Sequence, residues 1–363
     1  MYFIHKFTDG PAMQNKLHRT LISALSEEKV VMDLYGCRRC KFVFNANFDI
    51  KKAHYSLNYD NTQDNSKYFH LYLLELAKRL NKKYKLANKR VIEVGCGKGG
   101  FLKILHDLGV RNIKGFDPSY VNYDPNIDKL VVKKIFNKKN IKGKVDFIIC
   151  RHVLEHIPNP SEFVFSLAKC LAKNGVMYFE TPDFEWITNK KAFFDFFYEH
   201  CNYFSRKPLT YLFGRFGFKN ILFRHGLRGQ YFQLEVRRNN IVKISKFRDV
   251  VDFDEVDGFI NREIKKYQKL VVELSKFIIW GAGAKGVTFL NRLKISRHRC
   301  KYVIDINPNK QNKFIPITGQ KITSPKILER EKTKNIIIMN PVYQKEIKAV
   351  SKKYHYKGKF ILI

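Results

Sequence analysis

The 363-residue sequence is poor in acidic side chains: 33 Asp and Glu stand against 68 Lys and Arg, a formal net charge of +35. It lacks any run near the ~18 consecutive apolar residues of a spanning helix, which excludes an ordinary helical membrane protein. The opening MYFIHKFTDGPAMQ has no apolar stretch ending in a small-residue cleavage site. That argues against secretion and for a cytoplasmic location. Seven Cys scattered through a long chain build no disulfide frame and read as reduced thiols. No N-P-P-Y segment and no aromatic stacking module for nucleic acid occurs.

What is present suits a globular core. Hydrophobic residues make up 45%, with 31 Phe and 19 Tyr, which excludes global disorder. The length suits two or three domains. The surplus charge invites a nucleic-acid partner. Yet Lys outnumbers Arg, and Asn, Ile, Tyr and Phe are abundant as well, the joint excess that AT-rich codon usage produces. The basic residues spread along the whole chain, and the clusters at 82–85 and 133–144 read as solvated turns beside apolar strands. A small-molecule substrate is expected, not a nucleic acid or a membrane.

The first 65 residues read as irregular, with one C-x-x-C and a Tyr/Asn-rich stretch. Residues 66–80 carry apolar side chains at helical spacing. A strand at 90–94 runs into a glycine turn, and apolar runs follow at 113–116, 145–150 and 175–179 with helical stretches between. This β-α alternation predicts a parallel sheet, and two strand-like runs within 218–237 predict an antiparallel pair at its edge. Val256, Phe259, Ile260, Ile264, Tyr267 and Val271 share one helical face, predicting a helix packed between two domains. A second unit then opens, with strands at 277–280, 302–306 and 335–339 and its own glycine turn. The fold class is α/β. A small irregular N-terminal module (1–65) precedes a Rossmann-like core (66–240), a helical connector (241–275) and a second Rossmann-like domain (276–363).

Residues 91–100 read V-I-E-V-G-C-G-K-G-G. Gly95, Gly97 and Gly99 sit between strand and helix, where a ligand presses on the backbone and the chain needs positive φ. Asp117 ends the next strand about 20 residues on, where a carboxylate reaches both hydroxyls of a ribose. Glu93 either braces the loop amides or faces the ligand. The spacing E-x-G-x-G-x-G differs from the dinucleotide pattern and resembles motif I of class I S-adenosylmethionine (SAM) dependent methyltransferases. Asp146-Phe-Ile-Ile-Cys-Arg-His-Val-Leu-Glu-His156 and residues 171–182 resemble that family's fourth and fifth strands. SAM is the implied cofactor, with Arg151 and His152 at its pocket. A sulfonium that carries an ammonium suits nearby carboxylates such as Glu93 and Asp117. Residues 131–136 lack the carboxylate the family often places near the adenine.

The resemblance extends to the sugar C-methyltransferases. Cys37-Arg-Arg-Cys40, Phe44-Asn-Ala-Asn-Phe-Asp and Tyr59-Asp-Asn-Thr-Gln resemble the end of their N-terminal zinc module. Phe197-Tyr-Glu-His-Cys-Asn-Tyr-Phe-Ser205 resembles their Y-x-E-H-x-x-Y-F-S segment, with Phe197 where relatives carry Tyr. Residues 280–286, 303–311 and 340–347 resemble their C-terminal domain in order. The resemblance implies methylation of a carbon next to a carbonyl on a nucleotide-linked deoxysugar, through a base-generated enolate. An RNA or another small-molecule acceptor is the alternative. The resemblance makes His200 the base, Glu199 its orienting partner or a contact to substrate hydroxyls, and Tyr203 and Tyr59 donors to the enolate oxygen.

A structural zinc needs four ligands, commonly two C-x-x-C pairs. Only Cys37 and Cys40 are present, so no zinc, or a weak site, is expected. Gly281-Ala-Gly-Ala-Lys-Gly286 satisfies G-x-G-x-x-G, with Asp305 near the ribose position, and alone it suggests a dinucleotide. The resemblance implies instead a domain that holds the substrate's nucleotide diphosphate, through Gly281, Gly283, Lys285, Asp305, Lys310 and Asn340.

Overall fold

The computed structural model describes residues 1–53, 63, 65–238 and 251–363, so Tyr59 lies outside the described residues. Apolar, largely buried runs form the parallel strands Val91–Val94, Ile113–Phe116, Val145–Arg151 and Leu171–Pro182. They belong to a seven-stranded sheet. Its order is Asn220–Gly226, Tyr231–Arg237, Leu171–Pro182, Val145–Arg151, Val91–Val94, Ile113–Phe116, Val131–Val132. The first two are the expected antiparallel edge pair. From Val91–Val94 the chain steps outward on one side, then returns to lay Val145–Arg151 on the other. The loops diverge at that switch point and leave a crevice at the carboxyl ends of the strands.

The second unit repeats this logic with five parallel strands, ordered Lys321–Thr323, Tyr302–Ile304, Ile278–Trp280, Asn335–Ile338, Lys359–Leu362. Its switch point lies between Ile278–Trp280 and Asn335–Ile338.

The expectation of an irregular N-terminal module is corrected. Tyr2–Gly10, Val30–Gly36 and Val43–Asn45 form an antiparallel sheet, and Asn202–Tyr203 completes it. The fourth strand is remote in sequence, so no local pattern announces the sheet. Val30, Met32 and Leu34 point inward by simple alternation. They enter a core shared with Phe196, Phe259 and Phe289. Phe259 belongs to the helix Phe253–Glu273, which falls where the helical spacing predicts one, while residues 241–250 of the expected connector lie outside the described residues. Asp252 caps its start by accepting from Asp254 N and Glu255 N, and acidic residues fill its first turn. Val256, Phe259, Ile260 and Val271 are buried along it, each contributing roughly 1.5–3 kcal/mol. His18 and Phe314 exchange backbone hydrogen bonds at 3.1 and 2.8 Å, tying the N-terminal module to the second unit. Among the described residues, no helix is long and apolar enough to cross a membrane.

Candidate active site

Both switch points open on one cavity of about 860 Å³. The core supplies Glu93, Gly95, Gly97, Asp117, Arg151 and His152 to its wall. Glu199 and His200 come from the segment that crosses to the N-terminal sheet, and the second unit supplies Gly281, Gly283, Lys285, Asp305, Lys310 and Asn340. Gly99 stands back from the wall: it is the left-handed start of the helix Gly100–Asp107, with φ +76°.

The first glycine turn is built to receive a ligand. A Cβ on Gly95 would lie 2.1 Å from Val153 Cγ2, so only glycine fits there. Gly97, at φ +54°, has nothing within 4 Å of its missing Cβ, leaving its backbone open. Asp117 Oδ2 accepts the Gly97 N–H at 2.8 Å, while Oδ1 accepts from Ser119 N at 2.8 Å and Ser119 Oγ at 2.6 Å. The expected ribose carboxylate thus also braces the loop. Glu93 is buried at the wall.

Sequence reading missed the carboxylate that organises this end. Glu180 is buried in the strand Leu171–Pro182. Its Oε1 accepts from Arg151 Nη2 at 2.8 Å and lies 3.1 Å from His152 Nε2; its Oε2 accepts from Tyr72 and Tyr178 hydroxyls. Glu155 Oε1 stands 3.4 Å from the other His152 nitrogen. Burial alone would depress the His152 pKa, but the two glutamates outweigh it and raise it to about 9. His152 is therefore an imidazolium at neutral pH. The sequence signal was a lone Glu inside the apolar run G-V-M-Y-F-E-T-P.

His200 is the opposite case. Burial, then the charges of His156, His152 and Lys285, hold its pKa well below the ordinary 6.5. Its ring lies 4.0 Å from that of Phe197 and 4.7 Å from that of His156, centroid to centroid. His156 Nδ1 is 2.9 Å from the Glu199 carbonyl, which fixes that imidazole against the loop. Glu199 is 1% exposed, and its Oε1 accepts from Gln14 N at 3.1 Å.

Tyr203 is a correction. Its hydroxyl accepts from Phe197 N at 3.1 Å and donates to Phe197 O at 3.2 Å, with its ring in the aromatic core. It holds the backbone ahead of His200 and is absent from the cavity wall. Tyr198 points away, bonded to Asp49 N and Asn47 O, while Phe197 lines the cavity.

In the second unit Asp305 braces its own loop, accepting from Ala282 N and Asn307 N, each at 2.9 Å. Lys285 Nζ donates to Asp195 Oδ2 at 2.8 Å and Gln230 Oε1 at 3.2 Å, and sits 4.7 Å over the Trp186 ring. Asn340 pairs with the Gln230 amide. Lys310 is buried, as is Asn307, which sequence reading did not single out. Cys37 and Cys40 face each other across a hairpin turn with free thiols. Among the described residues they form no metal-ligating group of three or more.

Residues 65–222 match a family model described as a methyltransferase domain, and residues 244–363 match the C-methyltransferase C-terminal domain. C-methyltransferase NovU of Streptomyces niveus is 23% identical over 65% of this chain and 62% of its own length. A ubiquinone biosynthesis O-methyltransferase of Dechloromonas aromatica is 31% identical over 26% of this chain. The chain spans 45% of that relative's length. Among solved structures, magnesium protoporphyrin IX methyltransferase (ChlM) from Synechocystis PCC 6803 with bound SAH aligns at 17% identity and a TM-score of 0.37. That alignment covers 47% of this chain and 84% of the other.

Proposed function

We propose that this chain, whose residues 65–222 match a methyltransferase domain and 244–363 a C-methyltransferase C-terminal domain, is a SAM-dependent methyltransferase that methylates a carbon next to the carbonyl of a nucleotide-linked deoxysugar. The observation that carries this reading is the shared cavity: two glycine turns open on it, with an unprotonated His200 at the wall between them. Free thiols throughout the chain favour a cytoplasmic setting.

Gly97 leaves open backbone for SAM with Gly95 beside it at the wall, Asp117 offers its carboxylate to the ribose, and Glu93 faces the cationic end. Bound there, SAM supplies an electrophilic methyl group on a sulfonium. Arg151 and His152, fixed by Glu180, shape the wall beside it. His200 takes the proton from the carbon next to the carbonyl, a task that needs a neutral imidazole near neutral pH. Burial foremost keeps His200 neutral, and two of the neighbouring charges that add to it, His152 and Lys285, stabilise negative charge developing on the enolate oxygen. Tyr59 is a further donor to that oxygen. Glu199 contacts substrate hydroxyls, and the second glycine turn takes the nucleotide end.

Incubation with methyl-labelled SAM and a panel of keto-sugar nucleotides is expected to label a sugar nucleotide. Label found in RNA, with none in any sugar nucleotide, overturns the reading.

A further inference from the structure

The turn Leu154–His156 is stapled to the segment that carries His200. His156 Nδ1 is 2.9 Å from the Glu199 carbonyl, and Cys201 Sγ donates to Glu155 O at 3.4 Å. Asn202 Nδ2 donates to Leu154 O at 3.2 Å and to Ile157 O at 2.7 Å. These contacts flank His200 on both sides and set it against a turn remote in sequence. A carboxylate oxygen of Glu155, a ring nitrogen of His156 and a ring nitrogen of His200 come to lie within 4.8 Å of one another. Glu155 is 1% exposed. Its Oε2 accepts from Thr181 Oγ1 at 3.2 Å. Its Oε1 faces His152 Nδ1 at 3.4 Å and completes no hydrogen bond among the described residues.

His200 needs an anion at this place. Burial first, and then the charges of His156, His152 and Lys285, oppose its protonation. Glu199, the preceding residue, has its Oε1 turned to Gln14 N at 3.1 Å. Tyr203 keeps its hydroxyl on the Phe197 backbone. A base in these surroundings rests neutral, yet it becomes an imidazolium each time it takes a proton from carbon. A buried charge of that kind is costly unless an opposite charge stands near.

We infer that Glu155 is a positioning residue for the base: its carboxylate is the counter-ion of the His200 imidazolium that forms when carbon is deprotonated. This rests on the reading of His200 as the base. In that step the C–H bond breaks, its electron pair becomes the enolate, and the proton stays on a His200 ring nitrogen. Glu155 takes no proton and only balances the charge. Once the methyl group has passed to carbon, the sulfonium has become a neutral thioether and the proton leaves His200 for water.

Glu155 also faces His152, so a direct and an indirect route to His200 must be told apart, and their signs differ. kcat falls in acid as His200 takes up a proton. Acting directly, Glu155 holds that proton, so Glu155→Gln is expected to move the acid limb to lower pH. It is also expected to lower kcat at least tenfold, because an opposite charge within about 4–6 Å moves a proton equilibrium by roughly 10- to 1,000-fold. Acting only through His152, the same variant would strip charge from His152 and move the limb to higher pH, the direction expected of Glu180→Gln.

Nitrogen-15 NMR of the full chain with SAH bound follows the same proton without any acceptor, the His200 signal being assigned by its loss in His200→Ala. Its titration midpoint is expected to fall in Glu155→Gln and to fall by less in Glu155→Asp, which keeps the charge one methylene farther off. SAH affinity checks that each variant is folded, and if Glu155→Gln fails that check, Glu155→Asp decides alone. A midpoint that stays or rises, or a kcat that falls with the acid limb unmoved, overturns the inference. A lowered midpoint, with no sugar nucleotide methylated by wild type, keeps the pairing of Glu155 with His200 and overturns the substrate reading. Sugar nucleotides methylated by Glu155→Gln at the wild-type kcat overturn the pairing and keep that reading.

Discussion

Asp117 holds the backbone of Gly97, its Oδ2 accepting the N–H at 2.8 Å. The second unit repeats the device with Asp305 and Ala282 at 2.9 Å. In each unit a carboxylate at the end of one strand fixes the turn that follows its neighbour. The two halves of the cavity thus have separable braces. Asp117→Ala is expected to weaken SAH binding at least tenfold by calorimetry, the worth of a charge-assisted hydrogen bond or more. Asp305→Ala is expected to leave SAH binding unchanged and to raise the KM of the acceptor.

Glu180 and His152 set a pH dependence of stability. The His152 pKa rises from 6.5 to about 9 on folding. A group whose pKa is raised stabilises the fold fully below its unfolded value and loses that effect as pH climbs through the folded value. Denaturant unfolding is therefore expected to show stability falling between pH 6.5 and 9, by on the order of 3 kcal/mol. Glu180→Gln removes one of the two carboxylates and is expected to shrink that fall and move it to lower pH.

Much of this architecture is legible in the sequence because its signals are local. The turn at 95–99, the strands on either side of it and the helix Phe253–Glu273 each follow from a pattern within about two turns or one strand. What escaped depends on distant partners. Lys285 reads as a free phosphate ligand until Asp195, 90 residues away, is seen to hold it. Tyr203 reads as catalytic until its hydroxyl is found on the Phe197 backbone. Glu180 reads as an oddity in an apolar strand until Arg151, His152 and Tyr72 converge on it. The N-terminal sheet stays hidden because its fourth strand, Asn202–Tyr203, comes from within the stretch 66–240 that the sequence assigns to the core.

The C-x-x-C turn gives a metal prediction. Cys37 and Cys40 make two ligands, short of the four of a structural zinc. Purified protein is expected to carry well under one zinc per chain, and Cys37→Ser with Cys40→Ser to shift stability by less than about 1 kcal/mol, as for ordinary surface changes. A full equivalent of zinc by atomic absorption contradicts this.

As the proposed base, His200 is expected to separate binding from chemistry. His200→Ala is expected to keep SAH affinity near wild type and to lower kcat by roughly 100-fold, the scale of a lost general base. Because its pKa lies well below 6.5, kcat in wild type is expected to stay level through neutral pH and to fall only in acid. Lys285→Gln removes one of the charges that depress this pKa, so the acid limb is expected to move to higher pH.

Methyl transfer to carbon through a base-formed enolate leaves its mark on the product. The most direct measurement is carbon-13 NMR of the product formed from keto-sugar nucleotide and SAM labelled in its methyl group. A labelled methyl bonded to the carbon beside the carbonyl, formed roughly 100-fold more slowly with His200→Ala, is the result expected. A labelled methyl on oxygen, or one formed as fast by His200→Ala, contradicts the account.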